Sequence, residues 1–347
     1  MRPRTDGRGV RISRTAIFLW LGILLLVSIV LSVMVGSVPI RPLEAIRVLV
    51  EGGAGPSDTA ATIVRQIRLP RTLLAGIVGA CLSLAGLGFQ AISRNPLADP
   101  SVLGVSSGAS FGLMIAMLVG VVGPASNPAV ATLFAFAGAL LAATLVYAIA
   151  HVDGRLPMTT LLLSGVIIGL FFTSCVMLIT VLLGAAELQG IVFWLMGNLS
   201  PASPGSLGVL TAVLGIGIVA LIREAPRLNV LALGEEQALQ LGVEAERVKR
   251  VVFVAASLIT GAAISAAGSI GFVGLIVPNA ARLLLGPDNR NLVPMSVLLG
   301  ATFLILADLG ARTVAGSLEL PVGVVTSFCG APLFVYLLRR HRGTESW

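Results

Sequence analysis

Charge is scarce in this chain. Asp, Glu, Lys and Arg make up 11% of its 347 residues, where a soluble domain carries roughly a quarter. Aromatic residues are few as well, at 5%, and there are only two histidines, three cysteines and a single lysine, Lys249. Each shortage excludes something. With 56% hydrophobic residues and a mean hydropathy of +1.00, a water-soluble globule could not hide its apolar side chains. Disordered chains are poor in the residues that abound here. Cys81, Cys175 and Cys329 each sit alone in apolar runs, in no metal-like spacing, which points to packing and away from a disulfide framework or a zinc site.

What is present is a series of long apolar runs. A helix needs about 20 such residues to cross a bilayer. Runs near that length occupy 15–36, 72–92, 101–123, 129–150, 158–184, 206–222, 251–270, 272–285, 292–310 and 320–338. The eighth is the weakest, being short and containing Pro278. The first follows a basic stretch but is longer than the ~7–15 residues of a cleavable signal, so it reads as a retained span. The sequence thus predicts an all-α polytopic membrane protein with about ten transmembrane helices and one membrane domain over 1–347. Residues 1–14 and 339–347 are tails, 15–338 the core, and 223–250 a charged internal segment.

The net charge of +7 bears on orientation and not on nucleic acid. With an inside N-terminus, 17 of the 23 basic residues fall on the inner side and six on the outer, Arg41, Arg47, Arg65, Arg68, Arg71 and Arg312. That bias places both termini in the cytoplasm. The longest outer segment, 37–71, holds a candidate surface helix around Leu43–Val50. An internal echo also occurs. Gly79-Ala-Cys-Leu-Ser-Leu-Ala-Gly86 returns as Gly261-Ala-Ala-Ile-Ser-Ala-Ala-Gly268, one copy running inward and the other outward. Inverted repeats of this kind are a transporter signature, although small residues are common at membrane helix contacts in any case.

The runs are nearly empty of titrating groups. Asp308 and Glu319 lie at their ends, His151 and His341 at a boundary and in the tail. Proton- and cation-coupled carriers place such groups at depth, and a membrane-embedded enzyme needs an acid, base or nucleophile there. No phosphate loop is present, since the lone lysine sits in Arg247-Val-Lys-Arg250. Uphill work would draw its energy from another subunit. The candidate receiver is Leu231–Val243, read as a short amphipathic helix with Glu235 and Glu236 at its N-terminal end and Gly242 as a left-handed cap. Leu231, Leu233, Leu239 and Leu241 would form its apolar face, against a cytoplasmic partner or the membrane surface.

Several motifs in order resemble one family: Gln66-Ile-Arg-Leu-Pro-Arg71, Asn95-Pro-Leu-Ala-Asp-Pro100 with Leu103-Gly-Val-Ser106, Leu231-Ala-Leu-Gly234 with Gln240-Leu-Gly242, Gly271–Pro278, Gly286-Pro-Asp288, and Glu319–Thr326 with Gly330-Ala-Pro332. The family is the FecCD-type permease subunits of ABC importers for iron–siderophores, haem and cobalamin, the type II importers. The resemblance implies a type II permease fold that dimerises, with an identical or paralogous copy, around a central pathway. It also implies two ATPase subunits below, which bind ATP and Mg, and a substrate-binding protein outside. No cofactor or metal is expected in this chain, and no catalysis. Localisation would be the bacterial cytoplasmic membrane. By the same resemblance, Arg68, Arg71 and Arg312 match binding-protein docking residues; Leu233, Gly234, Glu235, Glu236, Leu239, Leu241 and Gly242 match the ATPase-coupling segment; and Asn95, Leu97, Thr159 and Thr160 match cytoplasmic gates. The spans 158–184 and 320–338 match pathway-lining helices. The implied cargo is an iron chelate, with cobalamin or another metal chelate or oxyanion as the alternative, and an ion-coupled carrier or passive channel as the reading from another class. The chain departs from relatives at Asn279 and Asn289, where histidine is common, and asparagine cannot titrate.

Overall fold

The structure, a computed structural model, describes residues 14–36, 40, 48, 59–122, 128–183, 192–199, 203–314 and 320–341. The candidate surface helix at 43–50 apart from Val48, residues 1–13 and 342–347, Arg41, Arg47 and Glu319 lie outside these, and Arg339 and Arg340 are without a described side chain. Backbone amides inside a bilayer find no water, so each span must satisfy them internally as a helix. Ten helices correspond to the ten runs: α1 Arg14–Met34, α2 Leu69–Ser93, α3 Val105–Leu118, α4 Pro128–Ala150, α5 Met158–Leu182 and α6 Pro204–Leu231, then, after a short α7 (Glu235–Gln240), α8 Ala245–Ala267, α9 Val273–Leu285, α10 Asn289–Thr313 and α11 Val322–His341. Seven are long and apolar enough to cross a membrane, and α3, α9 and the start of α11 are shorter apolar helices.

The expected boundaries shift where polar residues still suit a helix. Segment 223–250 is no continuous loop: α6 runs on to Leu231 and α8 begins at Ala245, leaving 232–244 for α7 and its turns. Before α2 the chain winds a wider π-turn over Ile63–Arg68. The eighth run is α9, only 13 residues long, entered through non-helical backbone at 268–272.

The helix α2 is central: 89% of its most apolar window is buried, against 22% for α1 and α6. Its burial depends on glycine. A Cβ on Gly79 would collide with the Gly300 backbone of α10, and one on Gly86 with the Gly274 backbone of α9, so the helices meet main chain to main chain. The echo copies make reciprocal contacts. Gly79 of α2 meets α10, a helix of the second half, while Gly261 of α8 meets Ala139 and Phe136 of α4, a helix of the first. The two copies run in opposite directions, as an inverted repeat requires.

One end of the bundle gathers the turn at 94–98, 151–157, α7 and 286–288, and from that turn 99–104 runs inward against Gly274 and Gly165. The other gathers the end of α1, the π-turn, the start of α2 and the end of α10. They are called below the α7 end and the Arg68 end.

Candidate functional site

At the α7 end, Gly234 (φ +128) and Gly242 (φ +76) bracket α7 in backbone conformations that favour glycine. Leu233, Leu239 and Leu241 are exposed at 65, 70 and 63%. Leu231 is not part of that face; as the last residue of α6 it is buried in the core. Glu236 is exposed, whereas Glu235 turns inward. Its Oε1 lies 2.8 Å from Nζ of Lys249 and 3.7 Å from a guanidinium nitrogen of Arg94, which caps α2. Lys249 is 2% exposed. It also donates to Glu246 Oε1 (2.9 Å) and, at 3.5 Å, to the Leu156 carbonyl. Glu246 Oε2 in turn accepts the Leu156 N–H at 2.6 Å. All three ammonium donors are thereby used.

The gate candidates sit beside this node. Asn95 follows Arg94, and its Oδ1 accepts the Leu97 N–H at 2.9 Å, folding the turn that leaves Leu97 exposed. Thr159 and Thr160 stand in the first turn of α5, directly after the Leu156 segment. Met158 and Leu161 line one small cavity with Ala98 and Leu103, so the two gate segments adjoin. Asp99 caps the turn Pro100–Leu103 by accepting from Ser101 N–H (2.8 Å) and Oγ–H (2.5 Å). Burial raises its carboxyl above the ordinary value, and the Ser101 bonds oppose that.

The two departures at asparagine lie at the same end. Asn279 Nδ2 donates to the Pro96 carbonyl (3.0 Å) and its Oδ1 accepts from Arg282 (3.0 Å), which also donates to Gln90 Oε1 (2.5 Å). Asn279 thus ties α9 to the 95–98 turn through hydrogen bonds that need no titration. Asn289 donates through N–H and Nδ2 to Asn229 Oδ1, both at 2.9 Å, and Asn229 Nδ2 donates to Asp288 at 2.7 Å. That bond, with the Arg290 N–H, lowers the Asp288 carboxyl below its ordinary value.

At the Arg68 end the three candidate docking arginines do come together, but not as free surface charges. Arg68, Arg71 and Arg312 are exposed by only 4, 9 and 5%. Arg71 Nε lies 3.0 Å from one oxygen of Asp308 and Arg312 Nε 2.9 Å from the other, and Asp308 is fully buried. Arg312 also donates to Ser32 Oγ (2.7 Å), which meets the Thr72 hydroxyl, and Arg68 donates to the Val33 and Met34 carbonyls. The sequence counted these arginines among the outer set as docking candidates. In the structure their side chains turn inward, because Asp308 and the last carbonyls of α1 offer partners within the bundle.

An open cavity of about 640 Å³ lies between 192–199, 268–272 and α11, lined by Met196, Ser269, Gly323, Ser327, Phe328 and Pro332. Among the described residues its lining presents hydroxyls, backbone and apolar groups, with no charged side chain. Among the described residues no cluster of His, Cys, Asp or Glu could hold a metal ion.

The profile of the FecCD transport family matches residues 24–340. The chain belongs to that family. As a FecCD-family member it is 46% identical over 286 residues to the cobalamin import system permease protein BtuC of Halobacterium salinarum, covering 82% of this chain and 75% of that one. It is 35% identical to the hemin transport system permease protein HmuU of Yersinia pestis, covering 94 and 97%. A solved ABC transporter assigned to the metal-chelate type, in an inward-facing conformation, superposes with a TM-score of 0.81 at 31% identity over 94% of this chain and 99% of that one. The FecCD fold is therefore that of a multi-pass membrane permease. Reasoning from sequence passed over Gln90, Asn229, Glu246 and the partnership of Lys249. The visible signals were a glutamine inside the apolar run 72–92, near its end, and the uniqueness of the lysine.

Proposed function

We propose that this FecCD-family chain is the membrane-spanning subunit of an ATP-driven importer that passes an iron chelate through the cytoplasmic membrane by alternating access. The observation that carries the reading is the α7 segment: Leu239 on the short helix, with Leu233 and Leu241 on its flanking turns, forms an exposed apolar surface held from beneath through Glu235 and suited to an ATPase groove. The uncharged cavity suits a bulky chelate whose metal is already saturated. Two copies of this chain, or one with a paralogue, would enclose the pathway, with both termini cytoplasmic and the α7 end inward. ATP and Mg would bind the ATPase subunits, and this chain would pass its cargo unchanged. Asn95, Leu97, Thr159 and Thr160 would close the inner side.

A substrate-binding protein would dock at the Arg68 end. Because Asp308 already occupies Arg71 and Arg312, docking through them would be an exchange of carboxylate partners. A second reading, cobalamin as cargo, is favoured by the name of the Halobacterium relative. The test is native purification followed by vesicle uptake of radiolabelled ferric hydroxamate, haemin and cobalamin. ATP-dependent accumulation of an iron chelate, with a P-loop ATPase in the complex, is expected. Accumulation by the permease without nucleotide overturns the proposal, and accumulation of cobalamin alone selects the second reading.

A further inference from the structure

The chain's one lysine is buried among three elements that the proposed mechanism must move relative to one another. A buried ammonium is costly unless its donors are all used, and here each goes to a different element: Glu235 of α7, Glu246 of α8 and the Leu156 carbonyl at the foot of α5. Glu246 closes the ring by accepting the Leu156 N–H. The Leu156 backbone is thus held at both N–H and C=O, and Thr159 lies three residues further on. Glu235 is the asymmetric member. Its side chain is 42% exposed, against 2% for Lys249 and 29% for Glu246, and it alone belongs to the helix with the exposed leucines. A push on α7 therefore meets, as its first buried charge, an ammonium fixed to the gate segment.

We propose that Lys249 is a positioning residue that carries displacement of α7 to residues 151–157 and the start of α5, through its joint hold on Glu235, Glu246 and the Leu156 carbonyl. Arg94, at 3.7 Å from Glu235, gives a weaker second route to the Asn95–Leu97 turn. The inference rests on the reading of α7 as the ATPase contact. A hydrogen-bonded charge pair couples the groups it joins more strongly than neighbouring packing does, so breaking it should decouple the elements while each keeps its place.

The experiment uses the purified permease–ATPase complex with spin labels at exposed Gln240 of α7 and exposed Val152, each measured against a fixed label on α1, with and without Mg-ATP. In the wild type both distances should change on nucleotide binding. In Lys249→Met, and in the half-exposed variant Glu235→Gln, the Gln240 distance should still change. The Val152 response should shrink about fivefold or more, a coupling of ordinary allosteric size. Lys249→Arg should restore part of it. Thermal stability and ATPase retention are read in parallel, and Glu235→Gln keeps the test open should Lys249→Met fold poorly. A full Val152 response in Glu235→Gln or Lys249→Met overturns the inference while leaving the α7 contact standing. A wild-type complex in which nucleotide moves neither label overturns the α7 reading and the inference with it.

Discussion

The two ends of the bundle solve the same problem, charge next to hydrocarbon, in opposite ways. At the Arg68 end a fully buried carboxylate lies between two buried guanidiniums, each on a span, and that of Arg312 is further bonded to Ser32 of α1. At the α7 end a buried ammonium is shared among carboxylates that are 42 and 29% exposed and that belong to a surface helix and a helix terminus. Dry pairs lose heavily when one member goes, whereas a carboxylate open to water is partly screened and can change place at less cost than a buried one. The first arrangement fastens spans together. The second ties a surface helix to the segment beneath it, so that the two shift together.

The contrast breaks most sharply at Asp308. Asp308→Ala strands Arg71 and Arg312 without their carboxylate and should cost about 3–5 kcal/mol, read as a large loss of folded protein in detergent thermal melts. A melt like the wild type's would show the Arg68 end to be no fastening. A middling effect is expected at Asn279. Asn279→Ala removes the bond to the Pro96 carbonyl, worth about 0.5–1.5 kcal/mol, and should raise amide exchange at 95–98. Asn279→His can keep a donor there and should retain protection. Equal exchange in both variants would detach α9 from the 95–98 turn.

The smallest effect is a pH dependence. Asp288 is held below its ordinary value by Asn229 and by the Arg290 N–H. Its contribution is present above the ordinary carboxylate value and is lost as pH falls through the lowered one. Asn229→Leu should therefore shrink the loss of stability on the acid side, and an acid limb unchanged by that variant would show that Asn229 does not govern Asp288.

The spans were legible because a bilayer imposes length and apolarity directly on sequence. Each of the ten runs has its helix, and the short α9 with Pro278 was marked as weak from sequence. Gly242 sits in the left-handed conformation that its place after α7 implied. Less legible was where a helix ends among charges. Arg223, Glu224 and Arg227 read as loop, yet Arg227 pairs with Glu224 one turn away at 2.8 Å and α6 continues through them. Burial of the three arginines was hidden as well, because their covering depends on Asp308, some 240 positions along the chain from Arg71. The Lys249 node joins residues from 156 to 249, and no local pattern announces such a meeting.

The brevity of α9 has one more consequence. Thirteen residues at 1.5 Å each reach about 20 Å, while the hydrocarbon slab is about 30 Å thick. Irregular main chain at 268–272 covers the remainder beside the open cavity, and such main chain survives at that depth only against protein or water. Over that last third of the slab the main chain is set against 192–199 and α11, which lie within contact of Gly268 and Ser269 where lipid could not have satisfied its amides.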